Sequence, residues 1–359
     1  MNTEILLVDM MPVWFWALAT ALFGLAIGSF LNVVICRVPE ERSIVTPGSA
    51  CPKCGHKITP LENIPILSYL MLRGRCRGCG KKISLIYPFI EALTAVGFLL
   101  AFWKQLQQPT FNIAEMIADM AFISANIALI CIDFEHMILP NVITLPGSLV
   151  ALVIRLFVPT QTSPEASFYA TQFAIIILLM LALFACLRVW GSSNLFRVLL
   201  IVLLSGFIIA LAWLNTRALD WYIDLQINFQ IFWEERLANY PMIVSLINGL
   251  LGAIIGAGIL VMLREAYFVF RNIEGMGLGD VKMMLMVGFY LGWQLTIGTL
   301  ILASLLGTLL ALVFLLRQGR EALQVRIPFG VFLGIAAILL TLYGQPLLSW
   351  YVRLMVINY

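Results

Sequence analysis

Two carboxylates and two pairs of thiols stand out in a chain that is otherwise strongly apolar. Asp133 closes one apolar run, in "ALICIDFEHMILPN", and Asp280 opens another, after "GMGLG". Ionisable groups at membrane depth are costly and mark function by default. The plain alternative for Asp280 is a helix cap, since Asp is a preferred N-cap residue. A cap does not call for Gly275, Gly277 and Gly279 in five residues, however. Such a run lets the backbone bend and leaves room for another chain beside the carboxylate, so Gly277 and Gly279 are expected to form a path for substrate. After Asp133, Pro140 must stop any helix by Leu139. Both aspartates are therefore expected at helix ends on one side of the membrane, where they can meet. Two close carboxylates cannot both ionise easily and share a proton. One then activates a water and the other polarises a scissile carbonyl, with no metal or nucleophilic side chain required. The chain has only two histidines, no evident Ser-His-Asp set and no H-E-x-x-H motif.

The thiols are Cys51 and Cys54 in "CPKCGH" and Cys76 and Cys79 in "CRGCG". Two C-x-x-C knuckles in one loop can supply the four soft ligands of a tetrahedral zinc. Four protein ligands leave no open position, so the expected role is structural. The rivals are disulfides or redox chemistry, which a cytoplasmic loop disfavours. His56 is read as a neighbour of the site. Cys36, Cys131 and Cys186 lie in or beside apolar runs and are read as packing residues.

These groups must be held by membrane helices. The chain is 62% hydrophobic and 11% charged, far below the charge of a soluble protein. The expected spans are 11–36, 86–103, 115–133, 141–158, 170–189, 196–214, 242–263, 280–293, 295–316 and 328–348. The first follows no basic residue and meets Arg37 where a small-residue cleavage site would stand, so it reads as a retained helix. Segment 37–85 carries nine Lys and Arg against three acids, which places it in the cytoplasm and both termini outside. Arg155, near an outer end, is a mild exception. Segment 215–241 mixes aromatics with charges and reads as an amphipathic interfacial helix. A net charge of +3, spread over many loops, gives no case for nucleic-acid binding.

Taken in order, five stretches resemble the type IV prepilin peptidases, also called prepilin leader peptidase/N-methyltransferases. They are "GLAIGSFLNVVICRVP", the cysteine loop through "YPFIEALTA", "IDFEHMILPN", "GMGLGDVK" and "IPFGVFLG". The resemblance implies that Asp133 and Asp280 are the catalytic pair of a G-x-G-D intramembrane aspartyl protease, similar in this to presenilin and signal peptide peptidase. It implies pilin and type II secretion pseudopilin substrates. Their short basic leaders would be cut after a glycine on the cytoplasmic side of the bacterial inner membrane. The intact four-cysteine loop further implies N-methylation of the new terminus from S-adenosylmethionine. No Rossmann-type glycine fingerprint locates that donor. Asn32, Glu62 and Glu91 are polar residues near the loop for which a structural role is as good a reading.

The chain departs from the family in length between the aspartates, 280 − 133 = 147 residues. The excess falls at about 160–241. The expected fold is thus all-α and polytopic, the family's usual eight spans plus an inserted hairpin, with a small cytoplasmic zinc loop. The expected parts are a first helix (1–36), a zinc-binding, methyltransferase-associated loop (37–85), a first peptidase part (86–159), the insertion (160–241) and a second peptidase part (242–359). Two other classes fit some features. A secondary transporter would show inverted repeats and midplane acids, and no such repeat is seen. A zinc-dependent scaffold would use both aspartates merely as caps.

Overall fold

The structure, a computed structural model, describes residues 12–158, 164–190, 220–237, 239–271, 276–318 and 327–357. In lipid every backbone amide must find its partner within the chain, so the apolar runs come out as helices. They are α1 (Val13–Arg37), the single turn α2 (Leu67–Met71), α3 (Ile86–Leu106), α4 (Ile113–His136), α5 (Asn141–Phe157) and α6 (Pro164–Trp190). Then follow α7 (Asp220–Phe232), α8 (Pro241–Arg271), α9 (Leu278–Leu291), α10 (Trp293–Gln318) and α11 (Phe329–Ile357). Nine of the ten expected spans have a helix in their place among the described residues. The one at 196–214 lies outside them. Six helices, α1, α3, α4, α8, α10 and α11, are each long and apolar enough to cross a membrane alone.

The chain forms two compact units, one from the residues up to Gly147 with those from Thr299, the other from Ser148–Gly298. In the first, α1 lies against α3, α4 against α3, and α11 against α4. Their buried core runs through Leu31 and Ile35 of α1, Ile90 and Phe98 of α3, Ile123, Ile127 and Ile132 of α4 and Leu342 of α11. Cys131 packs on this core, the role expected for it. The α1–α3 contact is a backbone contact. A Cβ on Gly24 would come 2.6 Å from Ala95 Cα, and one on Gly28 2.6 Å from Glu91 Cα. Small residues four apart let membrane helices approach this closely.

The second unit is built around α8, which packs on α6 and α9. Gly252 of α8 and Gly288 of α9 interlock: a Cβ on either would collide with the other's backbone. Helix α9 stops at Gly292, whose φ of +78° turns the chain straight into α10. The missing loop at "LGWQ" is this single glycine. Asn248 of α8 takes the Trp293 amide at 3.3 Å and braces the turn. Arg155 is buried, its Nε donating to the Phe289 carbonyl at 3.0 Å with its guanidinium 5.6 Å from the Tyr290 ring centre. It serves the C-terminal carbonyls of α9, where a cation is favoured, and so escapes the loop-charge rule. The described part of segment 215–241 is α7 and a π-turn at Trp233–Leu237. Phe229 contacts Phe168 of α6, and Trp233 is buried beside it.

The Gly252–Gly288 contact generates a stability expectation. Gly288→Val must push α9 off α8, and overpacking of this kind costs about 1–3 kcal/mol or more. Denaturant titration in detergent should show the loss, while Gly277→Val, at an open cap position, should cost less, no more than the loss of a modest N-cap residue.

Candidate functional site

Asp133 sits one turn from the end of α4 because the chain cannot continue as helix towards Pro140. Met137 takes the left-handed conformation (φ 53°, ψ 37°) and its amide closes on the Asp133 carbonyl at 2.9 Å. The next helix, α5, opens at Asn141. The Asp133 side chain is buried, 5% exposed, and turns onto the start of α11. Its Oδ2 accepts the Val331 amide at 3.1 Å, and the Gly330 amide also faces it. A helix N-terminus offers free amides and positive potential to a carboxylate. A Cβ at residue 330 would lie 2.7 Å from Asp133 Oδ2 and 3.0 Å from Leu139 Cδ1. This glycine is the one in "IPFGVFLG", and nothing local in that motif points to Asp133. Its glycine lets the last helix reach this carboxylate.

Asp280 lies in the first turn of α9 and is half-buried. It is not the capping residue. Gly277 is the N-cap, in extended conformation (φ −72°, ψ 150°), which places Asp280 at the third helical position. Neither torsion nor packing demands glycine at 277, for a Cβ there would meet only the Gly279 amide nitrogen, at 3.9 Å. The stretch is described from Met276 onward, so Gly275 lies outside it.

The four cysteines converge. The sulfurs of Cys51, Cys54, Cys76 and Cys79 all lie within 4.8 Å of one another, with Cys54 and Cys76 at 3.9 Å. A tetrahedron with Zn–S bonds near 2.3 Å has S···S edges of about 3.8 Å, so the thiols fit such an ion. The two knuckles are copies. Gly55 and Gly80 turn with φ of 72° and 68°, and their amides reach the Cys51 and Cys76 carbonyls at 2.9 and 2.8 Å. Each knuckle is then closed by an antiparallel bridge, Ala50 to Lys57 and Arg75 to Lys82. Comparing "CPKCGHKI" with "CRGCGKKI" would have revealed this repeat. The backbone amides of Lys53 and Cys54 face the Cys51 sulfur and bring its thiol down to about 6. A thiolate poised in this way is a ready metal ligand.

The remaining polar candidates tie segments together. Glu62 accepts the Thr59 amide at 3.0 Å, with His56 Nε2 at 3.3 Å and Arg77 at 3.5 Å. It thereby joins one knuckle to the other. Glu91, buried in α3, accepts the amide of Ile66 from the loop at 2.8 Å. Asn32 of α1 donates to the Tyr87 carbonyl at 3.1 Å. Glu115 and Asp119 both hold Lys104, at 3.1 and 2.8 Å, a clamp between α3 and α4.

The Glu62 carboxyl is held below its ordinary value of 4.5, first by the Thr59 amide and then by His56. A depressed carboxyl stabilises the folded loop above that value and loses the effect as pH falls through its folded pKa. Glu62→Gln should therefore speed amide exchange at residues 56–62 at pH 7, and the gap from the parent should close in acid. Equal protection at pH 7 would leave these contacts without weight.

Comparison with known proteins follows the same lines. Residues 22–105 match the bacterial peptidase A24 N-terminal domain and residues 195–312 the type IV leader peptidase family. The cysteine loop lies inside the first match and Asp280 inside the second, with Asp133 between them. A prepilin leader peptidase/N-methyltransferase from Aeromonas hydrophila is 31% identical over 94% of both chains. One from Pseudomonas putida is 27% identical over the same share. One from Myxococcus xanthus reaches 47% over 36% of this chain and 38% of its own. No solved structure matches. With an all-helical apolar fold, a converged four-thiol loop and similarity along nearly its whole length, this chain belongs to the prepilin leader peptidase/N-methyltransferase family.

Proposed function

We propose that the chain is an integral membrane enzyme that removes the basic leader of type IV prepilins and type II secretion pseudopilins and then N-methylates the exposed residue. The family membership carries this reading. The buried Asp133 at the end of α4 and Asp280 in the first turn of α9 are what support it chemically. In the reaction, one carboxylate takes a proton from a water as its oxygen adds to the scissile carbonyl carbon. The other gives its proton to the carbonyl oxygen. The tetrahedral species collapses with a proton delivered to the leaving nitrogen. The carboxylates must then come within about one water of each other. The amides of Gly330 and Val331 fix the aim of Asp133, and the open backbone at Gly277 leaves space for an extended peptide beside Asp280.

The cysteine loop is read as a structural zinc site on the cytoplasmic side, held by Cys51, Cys54, Cys76 and Cys79. The ion, when bound, locks the two knuckles. S-adenosylmethionine is the methyl donor of this reading and supplies an activated methyl group; no residue is assigned to it. The inner membrane is the proposed location, with both termini outside.

Co-expression with a prepilin tests the peptidase. Asp133→Asn and Asp280→Asn should each abolish leader loss while the protein still inserts, and near-normal cleavage in either would remove that residue from catalysis. Gly277→Ala should lose at most the small stability of a weaker N-cap and yet slow cleavage severalfold in protein that is still folded. Undiminished activity there would make the glycine an ordinary turn residue.

Metal content tests the loop. Purified protein should carry about one zinc per chain, with bonds near 2.3 Å by X-ray absorption. Cys76→Ser should lose the metal and impair methylation at least as much as cleavage. Metal-free protein with stable disulfides would contradict the assignment.

A further inference from the structure

We propose that the segment Pro60–Leu72, between the two knuckles, is embedded in the lipid interface beside α3. The first observation is depth. Helix α3 has 21 residues, a length of about 31 Å at 1.5 Å per residue. That only just crosses a hydrocarbon core of about 30 Å, so Ile86 must lie near the boundary. Glu91 is five residues further in, about 7 Å along the axis. Its carboxylate nonetheless receives the amide of Ile66, at 2.8 Å. The loop must come within one glutamate side chain and one hydrogen bond of that level, which brings it to the boundary at the start of α3. Interfacial helices sit about 5–10 Å into the headgroup and acyl boundary, the same region.

The second observation is what the segment shows to its surroundings. In "PLENIPILSYLML" the one charged residue is Glu62, and its side chain is 7% exposed, turned to His56 and Arg77. The apolar side chains point the other way. Leu61 is 77% exposed, Leu70 64% and Met71 80%. In water this would be an unsolvated patch at the centre of a loop that is otherwise basic. In lipid it would be solvated as the exposed apolar side chains of α3 are, among them Phe89 and Val96 at 63% and 50% exposed. Lys57 and Arg73 flank the segment and Arg75 follows, which suits the phosphates of the headgroup layer.

The third observation is backbone strain. Ile66 has φ 58° and ψ −49°, a conformation that a β-branched residue adopts only when its surroundings impose it. The Glu91 carboxylate sits at this residue, and α2 begins at the next. The bent backbone redirects the chain from the descent into a turn that displays Leu67, Leu70 and Met71 outward. A bilayer explains both the descent and the display. The knuckles would then rest on the headgroups and the metal-binding thiols would remain in water.

Photolabelling in nanodiscs tests this. The full-length protein is reconstituted in phosphatidylcholine carrying an acyl-chain diazirine, irradiated and digested with trypsin, which cuts at Lys57 and Arg73. Peptide Ile58–Arg73 should carry lipid adducts within about threefold of the yield on the peptide containing Phe89, as an interfacial segment must. The knuckle peptides with Lys53 and Lys81 should stay clear. Leu70→Asp with Met71→Asp should reduce the adducts on Ile58–Arg73 severalfold while the yield on α3 holds. Lipid adducts on α3 with none on Ile58–Arg73 would overturn the proposal. So would a segment that takes no lipid adducts but is labelled by a water-soluble diazirine and shielded from it by added prepilin, which would make it a protein-docking surface.

Discussion

Helices already in lipid gain nothing by hiding apolar side chains from water, so close backbone packing and buried polar bonds must hold them together. Everything that positions a candidate residue here depends on that condition. Gly24 and Gly28 bring α1 onto the backbone of α3 at Ala95 and Glu91. Gly252 and Gly288 do the same for α8 and α9. Each contact acts at a distance. Gly28 abuts the α3 turn whose Glu91 anchors the cysteine loop. Gly288 fixes the helix whose first turn holds Asp280, so a short α9 can hold that turn steady although it is only 14 residues long.

Polar groups complete what the glycines begin. A bare carboxylate in lipid is expensive, and four acids of the first unit show the partners that offset the cost. Asp119 and Glu115 share Lys104 between two helices. Glu91 takes a loop amide, and Asp133 takes the start of α11. The first of these differs from the other two in kind. The Lys104 clamp neutralises charge with charge, whereas Asp133 is met by neutral amides on a rigid helix end. Amides orient a carboxylate without quenching its charge, which a group that must exchange protons with a water can tolerate and an ion pair would not.

Sequence patterns gave away whatever rests on local rules. The four cysteines follow from C-x-x-C spacing, the end of α4 from Pro140, and the helices from apolar runs of membrane length. Contacts between distant segments left no such trace. Arg155 looked like a misplaced loop cation because nothing local says that it will reach the Phe289 carbonyl, 134 residues on. Asp280 was weighed as a cap because Asp often caps helices, yet the helix starts earlier, at Leu278, with Gly277 as its cap. The stretch around Ile66 carries no motif of its own, and the basic residues on either side place it simply in the cytoplasm. Its descent depends on Glu91, 25 residues away, and a charge count takes no account of depth.

One corner of the first unit draws the two proposed chemistries together. Tyr87, at the start of α3, holds Cys36 of α1 at 3.8 Å from its hydroxyl. It also lies within electrostatic reach of Cys51 in the first knuckle and of Glu135 in the last turn of α4. Glu135 is two residues beyond Asp133. The Tyr87 hydroxyl thus senses charge both in the thiol loop and in the last turn of the helix that carries the buried aspartate. Cleavage and methylation are chemically unrelated, and nothing obliges one chain to perform both. The neighbourhood gives that pairing a physical sense. On the proposed reading, a terminus cut beside Asp133 would be released within the same compact unit that carries the cysteine loop.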